Sequence, residues 1–257
     1  MDFSGKRILV TGSTMGIGYG AAKAFVGHGA KVAINGRDPK RVADAIASLG
    51  GKNLVAAPGD IRRVEGCKAV VEHAAKGLGG LDCLVNNAGI CPLAFPEQVT
   101  EEHWDEVVET NLRSAFFCAK FALPELRKSK GNIIHIASIA GLHAGPTDSF
   151  VYAITKGALV QMTRAMSLEL VKQGVRVNCV CPGYIDTPMV KAENDRTGGQ
   201  VYDFIAHSTP MGRIGSVEEC VSSILYFAWD GASYCTGSIL SNDGGCAANA
   251  GWGGANN

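Results

Sequence analysis

The stretch "ILVTGSTMGIG", residues 8–18, decides the fold. Ile8, Leu9 and Val10 form a short apolar run, the kind that is buried on both faces of a sheet. Gly12, Gly16 and Gly18 follow directly, and then a helical pattern begins with Ile17, Ala21, Ala24 and Phe25 on one face. Glycines at a strand-to-helix turn allow a tight bend and a close backbone approach to a ligand. The new helix offers its first N–H groups there, and these attract a pyrophosphate. The spacing is G-x-x-x-G-x-G, not the generic G-x-G-x-x-G. Its place on the first strand of a βαβ unit favours a dinucleotide cradle over an ordinary glycine turn.

Outward from this turn, short apolar runs recur at 7–12, 31–36, 53–60, 81–89, 131–138, 175–183 and 238–245. Helical patterns separate them. One opens at Thr100, with Glu101 and Glu102 in its first turn and Trp104, Val107, Val108 and Leu112 on one face. Another spans about Tyr152 to Lys172, with Ala158, Leu159, Met162, Ala165, Met166 and Glu169 at helical spacing. The alternation predicts a single Rossmann-type, doubly wound α/β domain over 1–257, with about seven parallel strands and helices on both faces. No internal repeat or linker divides it. The segment 186–215 is polar and reads as a mobile substrate-loop insertion. The tail 246–257 is rich in Gly, Ala and Asn, and either stays loose or packs on a neighbouring subunit.

The composition narrows the function classes. Of 257 residues, 46% are hydrophobic and 19% charged, so a sizeable core forms. Lys+Arg and Asp+Glu balance at 24 each, which gives no electrostatic footprint for nucleic acid. No apolar run reaches the roughly 18 residues that span a bilayer, and the first residues lack a signal-peptide pattern. Nine cysteines, several within apolar runs (Cys83, Cys118, Cys179, Cys181), read as free thiols of a cytoplasmic protein. Cys179 and Cys181 form C-x-C on one strand face, but no second pair has zinc-ligand spacing, so no metal is expected.

The end of the second strand, "VAINGRD" at 32–38, bears on the dinucleotide's identity. NAD-binding folds usually place Asp or Glu here, to hold the ribose 2′-OH. A carboxylate would repel a 2′-phosphate; Gly36 removes that repulsion. Arg37 offers a forked, charged contact to phosphate, and Asn35 a further hydrogen bond. This favours NADP(H), with NAD(H) possible. The competing reading makes Arg37 a solvated turn residue paired with Asp38.

Further motifs stand in order along the chain: "NNAG" at 86–89, Asn111, Ser138, "YAITK" with Tyr152 and Lys156, "PG" at 182–183 and "IDTP" at 185–188. In this arrangement the chain resembles the short-chain dehydrogenase/reductase family from about Lys6 to Gly245, including its 3-oxoacyl reductase-like and sugar or polyol dehydrogenase members. The Tyr–Lys pair makes chemical sense alone. A phenol has a pKa of about 10, too high for acid/base work near neutrality. A lysine one helical turn away shares its face, and its charge favours the phenolate.

The resemblance implies roles for these residues. Tyr152 exchanges the proton with the substrate oxygen, Lys156 tunes it and holds the nicotinamide ribose, Ser138 orients the substrate, and Asn111 supports a proton relay. Cofactor contacts fall to Gly12, Ser13, Thr14, Met15, Gly16, Ile17 and Gly18 of the turn, and to Arg37. Asp60 and Ile61 frame the adenine, Asn87, Ala88 and Gly89 line the central region, and Pro182, Gly183, Ile185 and Thr187 wrap the nicotinamide. Substrate lining is expected from Ser138, His143, Tyr184 and Met189, with Cys91 and Leu93. His135 reads as a satisfied core histidine.

Two departures from the family pattern are visible. Ser138 and Tyr152 are fourteen apart, one more than usual, and the extra residue is placed in the Gly145–Asp148 loop. Met15 stands where many NADP-using relatives carry a basic residue. The expected function is interconversion of a secondary alcohol and a ketone with NAD(P)(H). The substrate is a small molecule: a neutral ketone, a sugar or polyol, or a 3-oxoacyl compound. The family pairs subunits through the helices carrying Asn111 and Tyr152, so a homotetramer is expected. The alternative is a catalytically silent dinucleotide-binding sensor or scaffold.

Overall fold

A computed structural model describes residues 1–143 and 148–249, except for the side chain of Met189. Among the described residues, seven strands form one parallel sheet in the order β3-β2-β1-β4-β5-β6-β7. They are β1 (Arg7–Val10), β2 (Lys31–Gly36), β3 (Leu54–Pro58), β4 (Cys83–Asn86), β5 (Asn132–Ile136), β6 (Arg176–Pro182) and β7 (Ile239–Asn242). The order reverses between β1 and β4, where Ile8 pairs with both Val32 and Cys83. Such a switch point opens a crevice at the carboxyl ends of the strands.

Helices cover both faces. α1 (Gly16–Gly27), α2 (Pro39–Ser48) and α9 (Val217–Ala228) enclose one core, which includes Ile8, Val10, Phe25, Ile34 and Phe227. α3 (Val64–Leu78) and α5 (Ser114–Ser129) enclose the other, around Leu9, Ala33, Leu84 and Ile133. Alternate residues of β1 thus feed opposite cores, which is why that run is apolar throughout. Local signals set the helix starts. Asp38 caps α2 before Pro39, Thr100 caps α4 (Glu101–Val108), and Ser216 with Glu219 forms a capping box on α9.

Four expectations are corrected. α6 spans Phe150–Leu170, so it starts two residues before Tyr152. Its buried stripe runs through Thr155, Leu159, Val160, Thr163 and Ser167, while Ala165 and Glu169 are exposed. Hydroxyls tolerate this burial because Thr163 and Ser167 donate to the Leu159 and Arg164 carbonyls at 2.8 Å each. Trp104 is 39% exposed and does not share the burial of Val107. The 186–215 segment is not a loop: it carries α7 (Pro188–Arg196) and α8 (Gln200–Ser208). Thr187 caps α7 and Pro188 occupies its first turn, signals that outweigh the segment's polarity. Of the tail, 246–249 is described; Cys246 Sγ lies 3.9 Å from the Ser208 carbonyl at the end of α8, and 250–257 fall outside the described residues.

Candidate active site

The expected site residues gather at the crevice, at the carboxyl ends of six neighbouring strands. The phosphate turn follows β1. Gly12 and Gly16 have φ of +60° and +56°, a region that side chains disfavour. A Cβ on Gly12 would stand 2.8 Å from the Ala88 Cα, and one on Gly18 would stand 2.4 Å from the Gly12 carbonyl. Glycine is therefore required here by close packing as well as by turn geometry. α1 starts with no side-chain cap and no acidic residue in its first turn, so its leading N–H groups stay available for an anion. Of the turn residues, Thr14 is half-buried and Met15 is 50% exposed. Ser13 is buried, and its hydroxyl donates to the Val10 carbonyl at 2.7 Å.

The β2 end differs from the sequence expectation. Asn35 is buried, and its side chain bonds the phosphate turn and β3. Its Oδ1 accepts from the Gly12 amide at 3.3 Å, and its Nδ2 donates to the Ala57 carbonyl at 2.9 Å. Asn35 is thus a strut that ties the phosphate turn to β3. A Cβ on Gly36 would meet the Thr14 methyl at 2.7 Å, so any carboxylate there would need Thr14 to move. Asp38 is used by the α2 cap and by Arg41 at 4.0 Å, which corrects the Arg37–Asp38 pairing. Arg37 is exposed; the Arg62 side chain bonded to Asp60 holds that carboxyl below its usual range, and the charge of Arg37 adds a smaller pull. The Ile61 side chain packs in the core at 5% exposure.

A latch joins β1 to β4. Asn87 Nδ2 donates to the Thr11 and Gly12 carbonyls at 3.0 Å each, and Thr11 Oγ1 accepts from the Asn87 and Ala88 amides at 3.0 and 3.1 Å. Asn87 therefore has a structural role in tying β4 to the phosphate turn. Gly89 packs closely against the polar centre: a Cβ there would stand 3.3 Å from Lys156 Nζ and 3.4 Å from Asn111 Oδ1.

Asn111 sits in a π turn, Glu109–Arg113, between α4 and α5. Its amide bonds both Ile90 backbone groups, at 2.8 and 2.9 Å, and donates to Thr155 Oγ1 at 3.2 Å. Widened turns of this kind aim side chains inward at functional sites. Lys156 is 3% exposed and donates to the Ile136 carbonyl at 2.8 Å. Its ammonium lies 5.4 Å from the centre of the Tyr152 ring. Burial pushes the Lys156 pKa down to about 8. Burial pushes the Tyr152 phenol above its ordinary value, opposed by a hydrogen bond from the Ser138 side chain. The Lys156 ammonium thus donates to the Ile136 carbonyl while it stays near the Tyr152 ring, and the Ser138 side chain opposes the effect of burial on the phenol.

Around this centre, Cys91 is half-buried and its thiol is pushed up to about 11 by burial, against the pull of Lys156. Cys181 lies beneath Ser138, whose backbone bonds its sulfur, and Cys179 Sγ is 3.9 Å from Cys181 Sγ. Gly183 follows β6, where a Cβ would stand 2.7 Å from the Asp243 Cα. Thr187 Cγ2 lies 3.7 Å from the Cβ position of Gly16, which brings the β6 and β1 loops together. Tyr184 packs edge-on against Phe204 at 6.2 Å, and Ile185 bridges to Gly215. His143 and Leu93 are exposed. The Met189 side chain and residues 145–147 of the Gly145–Asp148 loop lie outside the described residues. His135 is buried, but only its Nδ1 is partnered, by Asn86 Nδ2 at 3.3 Å, and burial pushes its pKa down to about 3.

Thr11 and Thr155 are not among the site residues expected from the sequence, and the role of Asn35 inside the turn is not either. A buried hydroxyl or amide at a strand end is the only signal they give, and it is shared with many structural positions. A cavity of about 440 Å³ opens at the opposite, amino ends of the central strands, lined by Lys6, Asp82, Asn132 and Arg176, and touches none of the site residues.

The family model described as enoyl-(acyl carrier protein) reductase matches residues 12–247. The 3-oxoacyl-[acyl-carrier-protein] reductase of Chlamydia trachomatis is 36% identical, over 94% of this chain and 97% of that protein. The L-fucose dehydrogenase of Rattus norvegicus is 37% identical, over 95% and 90%. The crystal structure of a candidate short-chain alcohol dehydrogenase from Sinorhizobium meliloti 1021 superposes with a TM-score of 0.90 at 36% identity, covering 96% of this chain and 98% of that one. No helix among the described residues is long and apolar enough to cross a membrane. The chain belongs to the short-chain dehydrogenase/reductase family and is an NAD(P)-dependent oxidoreductase acting on small molecules.

Proposed function

We propose that the chain interconverts a secondary alcohol and a ketone, with Tyr152 as the general acid/base. The carrying observation is the cluster of half-buried Ser138 and Tyr152 with buried Lys156, whose Nζ lies 3.3 Å from the Cβ position of Gly89. The nicotinamide supplies the hydride when bound. Gly12, Gly16, Ile17 and Gly18 would hold its pyrophosphate on the uncapped start of α1. Thr14 beside Gly36, with Arg37, would hold the ribose 2′ position, and Gly89, Gly183 and Thr187 would flank the rest of the cofactor. Tyr152 is kept protonated by burial, ready to donate to a carbonyl oxygen during reduction. Ser138 holds both that oxygen and the phenol. Lys156 Nζ has donor capacity beyond its bond to Ile136 and would offer it to a ribose hydroxyl beside Gly89. Asn111 fixes the Ile90 backbone and Thr155, and so holds the chain next to Gly89 in place.

Gly36 and Arg37 support NADP(H) over NAD(H), since neither repels a 2′-phosphate. Relatives named for a 3-oxoacyl thioester and for a sugar support the two substrate classes equally. Unpaired thiols suit the cytoplasm. Exposed Phe116, Phe150, Ile154 and Leu168 on α5 and α6 support pairing into a homotetramer, which light scattering tests: a monomer mass contradicts it. The catalytic reading is tested with a panel of β-keto thioesters, sugars and polyols offered with both cofactors. Turnover of one carbonyl/alcohol pair supports it, and cofactor binding without turnover across the panel supports the sensor instead.

A further inference from the structure

Met15 leaves the phosphate turn without a cation of its own. We infer that Arg41 replaces it, reaching from α2 to bind the cofactor's 2′-phosphate as a specificity-determining residue. This inference rests on the NADP(H) reading of Gly36 and Arg37.

An open cleft of about 330 Å³ lies between the phosphate turn and α2, lined by Thr14, Met15, Tyr19 and Arg41. Thr14 connects this cleft to the β2 end. The Cβ position of Gly36 lies 2.7 Å from Thr14 Cγ2 and 3.5 Å from Thr14 Oγ1. A phosphate held over Gly36 is therefore separated from the Arg41 cleft by one small side chain, whose hydroxyl is itself a donor.

The local charges leave Arg41 available. Asp44 also lines the cleft, but its carboxylate is bound by Lys40 at 2.8 Å. Asp38 bonds the Lys40 amide as the α2 cap and pairs with Arg41 at 4.0 Å, a long contact between two exposed side chains that a phosphate dianion would displace. The Arg41 side chain is 68% exposed, so no packing holds it elsewhere. Three cations (Arg37, Lys40, Arg41) face two carboxylates (Asp38, Asp44) here. With Lys40 engaged by Asp44, the two arginines remain to share the dianion. A guanidinium matches phosphate oxygens in a forked geometry, which a longer reach from α2 still permits.

The test is calorimetric binding of adenosine 2′,5′-bisphosphate and of 5′-AMP, which lacks the 2′-phosphate. It compares wild type, Arg37→Ala, Arg41→Ala, and Arg41→Ala combined with Met15→Arg. Arg41→Ala is expected to weaken the bisphosphate about tenfold and to leave 5′-AMP within about twofold. Adding Met15→Arg is expected to restore most of the loss. Equal weakening of both ligands, or of neither, while Arg37→Ala remains selective, overturns the role of Arg41 alone. Equal affinity of the wild type for both ligands overturns the NADP(H) reading and this inference with it. Arg41 is exposed and outside the core, so loss of folding does not confuse the result.

Discussion

The Lys156 ammonium stands 5.4 Å from the Tyr152 ring centre while bonded to the Ile136 carbonyl and almost cut off from water. A charge held this way costs stability, because the unfolded lysine keeps its ordinary pKa and the folded one falls to about 8. The sign follows from linkage. Between about pH 8 and 10.5 the unfolded chain binds more protons, so stability rises with pH through that window. Lys156→Met is therefore expected to be more stable than wild type at pH 7 by about 1–3 kcal/mol, and to lose turnover. Its advantage shrinks as pH rises from 8 toward 10. Urea midpoints across pH check this; a variant less stable than wild type at pH 7 speaks against a desolvated ammonium.

Asn35 and Gly18 hold the phosphate turn from two sides. Asn35→Ala leaves the Gly12 amide and the Ala57 carbonyl without their side-chain partner, at a cost of about 2–4 kcal/mol. Gly18→Ala drives a methyl into the Gly12 carbonyl and the Asn87 amide, at a cost of about 1–3 kcal/mol. Both are expected to weaken binding of NADPH and NADH alike, in contrast to changes at Arg37. Denaturant midpoints and fluorescence titration read the two effects separately. Selective loss of NADPH on Asn35→Ala would return Asn35 to the phosphate-binding role expected from the sequence.

His135 gives a second pH dependence, at the acid side. Its folded pKa of about 3 lies below the ordinary value, so the unfolded chain takes up the proton first as pH falls through 6.5. Its contribution is present above pH 6.5 and is lost toward pH 3. At pH 5, wild type should have lost about 2 kcal/mol relative to His135→Gln, measured from each protein's own stability at pH 7.5. Parallel pH curves for the two proteins contradict this.

Much of the fold was legible because burial on both faces makes parallel strands apolar throughout, and every predicted run contains an observed strand. The helices of 186–215 were missed because polarity was weighed above the Thr187–Pro188 start signal. The α6 stripe was misread because Thr163 and Ser167 count as polar in a pattern, yet satisfy themselves on their own helix. At the site, the motifs brought Ser138, Tyr152 and Lys156 to one place. What stayed hidden was direction: nothing in "VAINGRD" says that Asn35 turns inward to Gly12 while Arg37 stays outside. Alternation along the strand allows it, but only the packed turn decides it.

The central claim is that the Tyr152 hydroxyl moves the proton and does little else. Tyr152→Phe removes that one oxygen and keeps the ring beneath which Lys156 sits. The decisive measurement is kcat for the best substrate of the panel, beside the Kd of the cofactor for the same protein. The account predicts a fall in kcat of about 10³-fold or more, with cofactor Kd within about threefold of wild type. A variant that retains kcat within about tenfold contradicts it.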